Sequence, residues 1–266
     1  MSRRIGIDTG GTFTDLVDLG PDGLTVHKLR STPANPADAI LTGIEHLAAA
    51  TPGIDVVHGS TVATNAVLER KGARVALVAT RGFEDVVRIG RQTRAELYNV
   101  FLPLPRPLVD PAVTFGVTER LDASGAVVSA LTDAEIAHVA SALKGCHADV
   151  VAVCLLHSYV NHAHEARLAA ALRAGGWQVS ASHEVLPEYR EFERWSTTVV
   201  NAYVTPIIDR YLGALEAGLG RRRLSIMQSN GGSISSAQSS SPTTSSVSGM
   251  RPRKYAAISA SYSAIR

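Results

Sequence analysis

The sequence predicts an α/β fold on a mixed sheet, and three observations carry the prediction. Short apolar runs such as VVH and VALVA alternate with longer stretches of helical period; the inner runs are apolar throughout, as strands covered on both faces must be; and residues 4–30 read as an antiparallel ribbon.

In chain order, RIGID is the first strand, the adjacent Gly10 and Gly11 turn the chain, TFTDLVDLG runs back, and a PDG turn leads into LTVHKLR. Asn35 can cap a helix whose first turn holds Pro36 and whose body, DAILTGIEHLAAA, is amphipathic. The pattern then repeats as strand IDVVH, a helix through ATNAVLERKG, and strand ARVALVA. A capping box at Thr132–Glu135 opens a helix before DVVAVCLLH. NHAHEARLAAALRAGG, WQVSASH, the long helical stretch EFERWSTTVVNAYVTPIIDRYLGALEAGL and RRLSIMQSNGG complete the ordered part. From about residue 233 the text is serine- and threonine-rich, then basic without acidic residues, and reads as a poorly ordered tail.

Hydrophobic residues make up 45% of the 266, enough for a substantial core, and a net charge of +2 without an arginine–lysine stripe argues against a nucleic-acid partner. Cys146 and Cys154 lie near and in an apolar run, which suits reduced thiols and a cytoplasmic setting. No run approaches membrane-spanning length, and the start lacks the apolar stretch of a signal peptide.

The chemistry concentrates in IGIDTGGTFTD. Two adjacent glycines in a tight hairpin let successive N–H groups point into one concavity open to a phosphate. Asp8, at the strand end, can hold a hydrated Mg²⁺ bridging to such a group, while Thr9, Thr12 and Thr14 offer hydroxyls and Asp15 is a second carboxylate. The alternative is a turn of purely structural use. Neither G-x-x-x-x-G-K-[ST] nor G-x-G-x-x-G occurs, so a bound nucleotide has to be cradled by the hairpin.

RIGIDTGGTFTDLV, followed by VHGSTVATNAVLERKGARVALVATRGFEDVVRIGRQ, VTERLDASG, VCLLHSYVNHAHE, SHEVLPEYREFERWSTTVVNAYVTP and MQSNGG, closely resembles the N-terminal region of the hydantoinase/oxoprolinase family over residues 3–249. The resemblance implies an actin/Hsp70/sugar-kinase-like fold of two ribonuclease-H-like lobes with ATP between them. It also implies ATP-dependent opening of a cyclic amide such as 5-oxoproline or a hydantoin, by phosphorylation of the carbonyl oxygen. Acetone and acetophenone carboxylase subunits share the family, so a carboxylase subunit is an alternative, as is a non-catalytic remnant or binding module.

On this resemblance Asp8 is catalytic and serves Mg²⁺, while Thr9, Gly10, Gly11 and Thr12 bind phosphate. His58 is a proton carrier or hydrogen-bond donor, or, as a lone histidine at a strand end more often is, structural. Gly59, Ser60, Thr61 and Asn65, in a motif between strand and helix, face the substrate, although Ser60, Thr61, Thr64 and Asn65 can equally cap the helix. Arg91, with Arg88 and Arg94, can hold a substrate carboxylate or be a solvated loop. EYREFERW reads as an exposed helix start, its alternative being an ion-pair network. The histidines of HSYVNHAHE read as surface groups rather than metal ligands, with Asn161 as a helix cap. The expected domains are 1–195, the family's N-terminal domain; 196–249, the start of the next; and 250–266, an aberrant basic tail. The second lobe is expected to be missing, leaving little activity, and a hydantoinase B-type subunit is a possible partner.

Overall fold

A computed structural model describes residues 3–20, 23–32, 35–48, 54–93, 96, 98–99, 101, 106–220, 222–227 and 232–235. In chain order the elements are β1 (Arg4–Thr9), β2 (Phe13–Gly20), β3 (Gly23–Arg30), α1 (Pro36–Ala48), β4 (Asp55–Ser60), α2 (Val62–Leu68), β5 (Val75–Thr80) and the short α3 (Val86–Ile89). A 3-10 turn (Pro111–Val113) precedes β6 (Thr114–Val117), β7 (Arg120–Leu121), β8 (Val127–Ser129), α4 (Asp133–Lys144) and β9 (Val150–Cys154). Then follow α5 (Ala163–Ala174), β10 (Gln178–Ala181), α6 (Ser182–Val185), α7 (Glu191–Leu219), β11 (Arg223–Met227) and β12 (Ser233–Ser235). The chain divides into two units, Met1–Lys71 with Pro206–Arg266, and Gly72–Thr205.

The first unit is a mixed six-stranded sheet in the order β12-β11-β4-β1-β2-β3. β1, β2 and β3 form the expected antiparallel ribbon, and β4 and β11 join β1 in parallel. Alternation sets the buried face. Ile5 and Ile7 of β1 and Leu16 of β2 point inward, onto Ile40 and Ile44 of α1 and Leu212 and Leu215 of α7. Each such fully buried side chain contributes about 1.5–3 kcal/mol. α1 lies so close to β2 that a Cβ on Gly43 would come within 2.7 Å of Leu16 Cδ2, so an alanine there requires the Leu16 and Leu29 methyl groups to repack.

In the second unit an all-parallel sheet runs β10-β9-β5-β6. β5 and β9 are buried at every position, as continuous apolar runs predict for strands covered on both sides. Half of the expected capping box forms: the Thr132 hydroxyl accepts the Glu135 N–H at 3.2 Å and fixes the start of α4, while the Glu135 carboxylate turns to Arg81, 3.6 Å away.

One expectation is corrected here. Residues 233–235 pair with β11 as an edge strand, so the ordered sheet runs past Gly232; the isoleucine at 234 supplies a β-branched residue amid the serines. The rest of the expected tail, from residue 236 and including 250–266, lies outside the described residues, as do Pro21 and Asp22 of the PDG turn and residues 228–231 of the SNGG segment.

Candidate functional site

The hairpin loop Gly10–Thr12 sits at the carboxyl end of β1. Gly10 N–H donates to the Phe13 carbonyl at 3.0 Å and closes the turn. Ser31, just past β3, braces it from behind: its N–H donates to the Thr12 carbonyl at 2.9 Å, its hydroxyl donates to the Gly10 carbonyl at 2.8 Å, and Thr14 Oγ1 lies 3.0 Å from that hydroxyl. These bonds occupy loop carbonyls. Among the described residues no acceptor is bonded to the amides of Gly11 and Thr12, both of which are exposed.

Neither Gly10 nor Gly11 has the positive φ that demands glycine, and a Cβ built on Gly11 meets nothing within 4 Å. The fold itself therefore has no need of glycine at residue 11. What a side chain there would obstruct is an approach from outside, the property a phosphate-binding turn requires.

Parallel pairing of β1 with β4 sets Asp8 beside Gly59 and Thr9 beside Ser60. A Cβ on Gly59 would lie 3.6 Å from Asp8 Oδ1 and 3.4 Å from Met227 Cε, ordinary contact distances, so Gly59 sets the backbone of β4 directly beside the Asp8 carboxylate. Asp8 is exposed and forms no ion pair among the described residues. Its neighbour across the antiparallel ladder is Asp15, a second carboxylate, which is paired with Lys28 at 3.3 Å. Two like charges opposite each other are unfavourable, and the uncompensated one is at the loop.

Behind this end of the sheet His58 is wholly buried, and its Nε2 is hydrogen-bonded to the Tyr211 hydroxyl from α7. Burial pushes the His58 imidazole down to about 4, with a bond to the Ile7 backbone opposing, so it is neutral at physiological pH. Burial also pushes the Tyr211 phenol up to about 12 against the opposing pull of bonds with Ser60 and Thr9. Both rings stay neutral, and the pair fixes α7 against β4. Thr61 Oγ1 donates to the Thr9 carbonyl at 3.1 Å, Asn65 Nδ2 donates to Thr61 Oγ1 at 3.4 Å, and Ser60 Oγ accepts the Val62 N–H at 3.2 Å. Ser60 therefore holds the first amide of α2 from just outside the cap position, while Thr61, at that position, makes no capping bond and ties the end of β4 to β1.

Asp8, Thr9, Gly10, Gly11, Thr12, His58, Gly59, Ser60, Thr61 and Asn65 thus belong to one unit and to the adjacent ends of β1 and β4. Arg91 belongs to the other unit, where Nε donates to Glu193 Oε1 at 2.9 Å; Arg88 pairs with Asp85; Arg94 lies outside the described residues. Sequence reasoning missed Ser31 and Tyr211. Each carried a faint signal, a hydroxyl just beyond the third strand and a tyrosine on the apolar stripe of a long helix.

The second unit overturns two readings. In HSYVNHAHE only His162 of the helical pair is exposed. His164 is buried, with Nδ1 2.8 Å from Glu119 Oε2, and Glu165 is wholly buried, accepting the Leu155 N–H at 2.6 Å, the Ser182 hydroxyl and the His183 N–H. The cap position of α5 is His162 and not Asn161, whose Oδ1 accepts the Ala163 N–H at 3.1 Å from one residue further out. In EYREFERW the exposed helix start ends at Arg194, which is wholly buried and donates to the carbonyls of Leu155 and Glu188 and to the Ser182 hydroxyl. The cause is the same in both. Their partners come from strands and loops far along the chain, and full pairing offsets the burial of charge. Among the described residues no cluster of three or more His, Cys, Asp or Glu could hold a metal ion.

Mixed α/β sheets whose hairpin loop opens beside an unpaired carboxylate define an actin-like ATPase-type fold. Solved structures agree. The nucleotide-free acetone carboxylase structure matches with a TM-score of 0.76 at 29% identity, covering 87% of this chain and 37% of that one. The ATP-dependent caprolactamase from Pseudomonas jessenii matches with a TM-score of 0.75 at 33% identity, covering 86% and 36%.

The chain belongs to the hydantoinase/oxoprolinase family: residues 4–176 match the model of the family's N-terminal region and residues 194–251 the hydantoinase/oxoprolinase model. Among curated relatives, caprolactamase subunit alpha of Pseudomonas jessenii is 34% identical over 86% of this chain and 36% of its own length. 5-Oxoprolinase 1 of Arabidopsis thaliana is 33% identical over 86% of this chain and 21% of its own. The chain thus spans between a fifth and somewhat over a third of these relatives.

Proposed function

We propose that this chain carries the first phosphate loop of an enzyme that uses ATP and Mg²⁺ to open a cyclic amide of the 5-oxoproline or hydantoin type. The observation that carries the proposal is the braced loop Gly10–Thr12, with free amides at Gly11 and Thr12, beside the unpaired carboxylate of Asp8. The relatives' names support it. Bound ATP supplies a phosphoryl group that turns a poor amide leaving oxygen into a better one, after which water opens the ring.

In this reading Asp8 holds Mg²⁺ through water, since its one neighbouring carboxylate, Asp15, is taken by Lys28, and a single available carboxylate suits an ion that keeps most of its hydration shell. The amides of Gly11 and Thr12 donate to phosphate oxygens, with Thr9 and Gly10 completing the turn. Gly59, Ser60, Thr61 and Asn65 form the adjoining wall on the substrate side. His58, neutral and enclosed, works by holding Tyr211 and the end of β4 in place. Arg91, whose Nε and Nη2 are held by Glu193, would meet a substrate carboxylate through Nη1 or by exchanging that partner. Residues 1–195 and 196–249 correspond in this reading to the family's N-terminal domain and the start of its next domain. A hydantoinase B-type subunit is the expected partner and the cytoplasm the location, in keeping with two free thiols.

The test is ATP hydrolysis by the complete protein with 5-oxoproline, hydantoin and caprolactam. The expected outcome is Mg²⁺-dependent phosphate release stimulated by at least one of them, with Asp8→Asn lowering it by about a hundredfold or more. No stimulation by any cyclic amide would overturn the reading. The similarity to acetone carboxylase favours a second reading, a carboxylase subunit, which phosphate release dependent on both a ketone and bicarbonate would select.

A further inference from the structure

The second unit contains a cavity of about 470 Å³ that the function above does not use. Its volume suits a small organic molecule. Phe83, Val86, Val128 and Leu156 give it apolar walls, and Arg120, Asp122, His157 and Glu191 bring polar atoms to its edge.

Two of those four are already committed. Asp122 Oδ1 accepts the N–H groups of Ser124 and Ala126 and the Ser124 hydroxyl; Glu191 Oε1 accepts from Arg194 at 3.3 Å. The other two are not. The Arg120 side chain makes no ion pair or hydrogen bond among the described residues; its guanidinium lies over the Phe83 ring, 4.6 Å from the centroid. His157 Nδ1 is buried without a hydrogen-bond partner, and its nearest carboxylate, Glu191, stands 4.0 Å away.

His157 also has φ 55°, the left-handed region that a histidine enters at a cost. The turn around it is pinned from several sides by buried groups. Leu155 N–H donates to Glu165 and its carbonyl accepts from Arg194; Leu156 N–H donates to Thr80 Oγ1 at 2.9 Å; the Ser158 and Ser182 hydroxyls lie 3.0 Å apart. A fold that fixes a strained residue with an unsatisfied nitrogen at a cavity edge, beside an unpaired cation, has built half of a polar contact. We propose that this cavity binds a small organic monocarboxylate with an apolar body, its carboxylate bridging Arg120 and His157 and its body lying against Phe83 and Val128.

The site is independent of the phosphate loop. The experiment titrates the full chain with 3-phenylpropionate and with its neutral amide, 3-phenylpropionamide, by NMR or calorimetry. The carboxylate is expected to bind saturably and at least about tenfold more tightly than the amide, the ratio one charge-assisted contact supplies. Arg120→Gln, which keeps a planar side chain of similar reach, should bring the two ligands within about twofold, and His157→Phe should weaken the carboxylate selectively. Asp8→Asn should leave both affinities unchanged, which separates this site from the phosphate loop. No saturable binding of the carboxylate below about 10 mM, equal affinity for acid and amide, or a preference surviving Arg120→Gln would each overturn the proposal.

Discussion

Asp8 and Asp15 oppose each other across β1 and β2, and only Asp15 has a cationic partner, Lys28. The unpaired member therefore costs stability in the chain by itself, which is the usual mark of a group kept for a ligand. Asp8→Asn should raise the urea midpoint by an amount equivalent to about 0.5 kcal/mol while weakening ATP binding; a variant that is destabilised would refute this account of the pair. His58 gives a second expectation at the same scale. Its pKa is depressed from 6.5 to about 4 in the fold, so above pH 6.5 it has no effect on the pH dependence of stability. As pH falls from about 6.5 to about 4 the unfolded chain takes up a proton that the native chain does not, and stability drops by about 3 kcal/mol in total. Urea unfolding across that window checks the slope, which His58→Gln should flatten.

At the scale of elements, most of the fold was legible because it is written locally. The β1–β3 ribbon, the Thr132 cap and the buried runs of β5 and β9 follow from turn residues, capping residues and apolar patterning. The α5 start and the α7 start were misread for the opposite reason: Glu165 reaches Leu155 and Ser182, and Arg194 reaches Leu155, through contacts that no spacing within a helix predicts. A charged residue next to other charged residues looks solvated until the tertiary partner is known. Removing one member of such a network leaves the rest buried and unpaired, so Arg194→Ala should cost about 3–5 kcal/mol, whereas the half-exposed Arg91→Ala, which loses Glu193, should cost less than about 1 kcal/mol. Thermal unfolding of the two variants side by side distinguishes them.

At the scale of the whole molecule, the phosphate loop was legible and its supports were not. Asp8, Gly10 and Gly11 stand together in the text, but Ser31 and Tyr211 reach the same sheet end from later elements, and only the fold shows that the loop is braced and that His58 is enclosed. Family membership rests on two matched regions, and the chain spans between a fifth and somewhat over a third of the length of the curated relatives named above. Among the described residues no helix is long and apolar enough to cross a membrane. The account stands or falls on whether the open space over Gly11 is where phosphate lies. Calorimetric titration of the complete protein with Mg²⁺ and a non-hydrolysable ATP analogue, comparing wild type with Gly11→Val, is the most direct test: the valine should leave the melting temperature within about 2 °C, because its Cβ meets nothing, and raise Kd at least about tenfold. An unchanged Kd in a folded Gly11→Val protein would contradict the account.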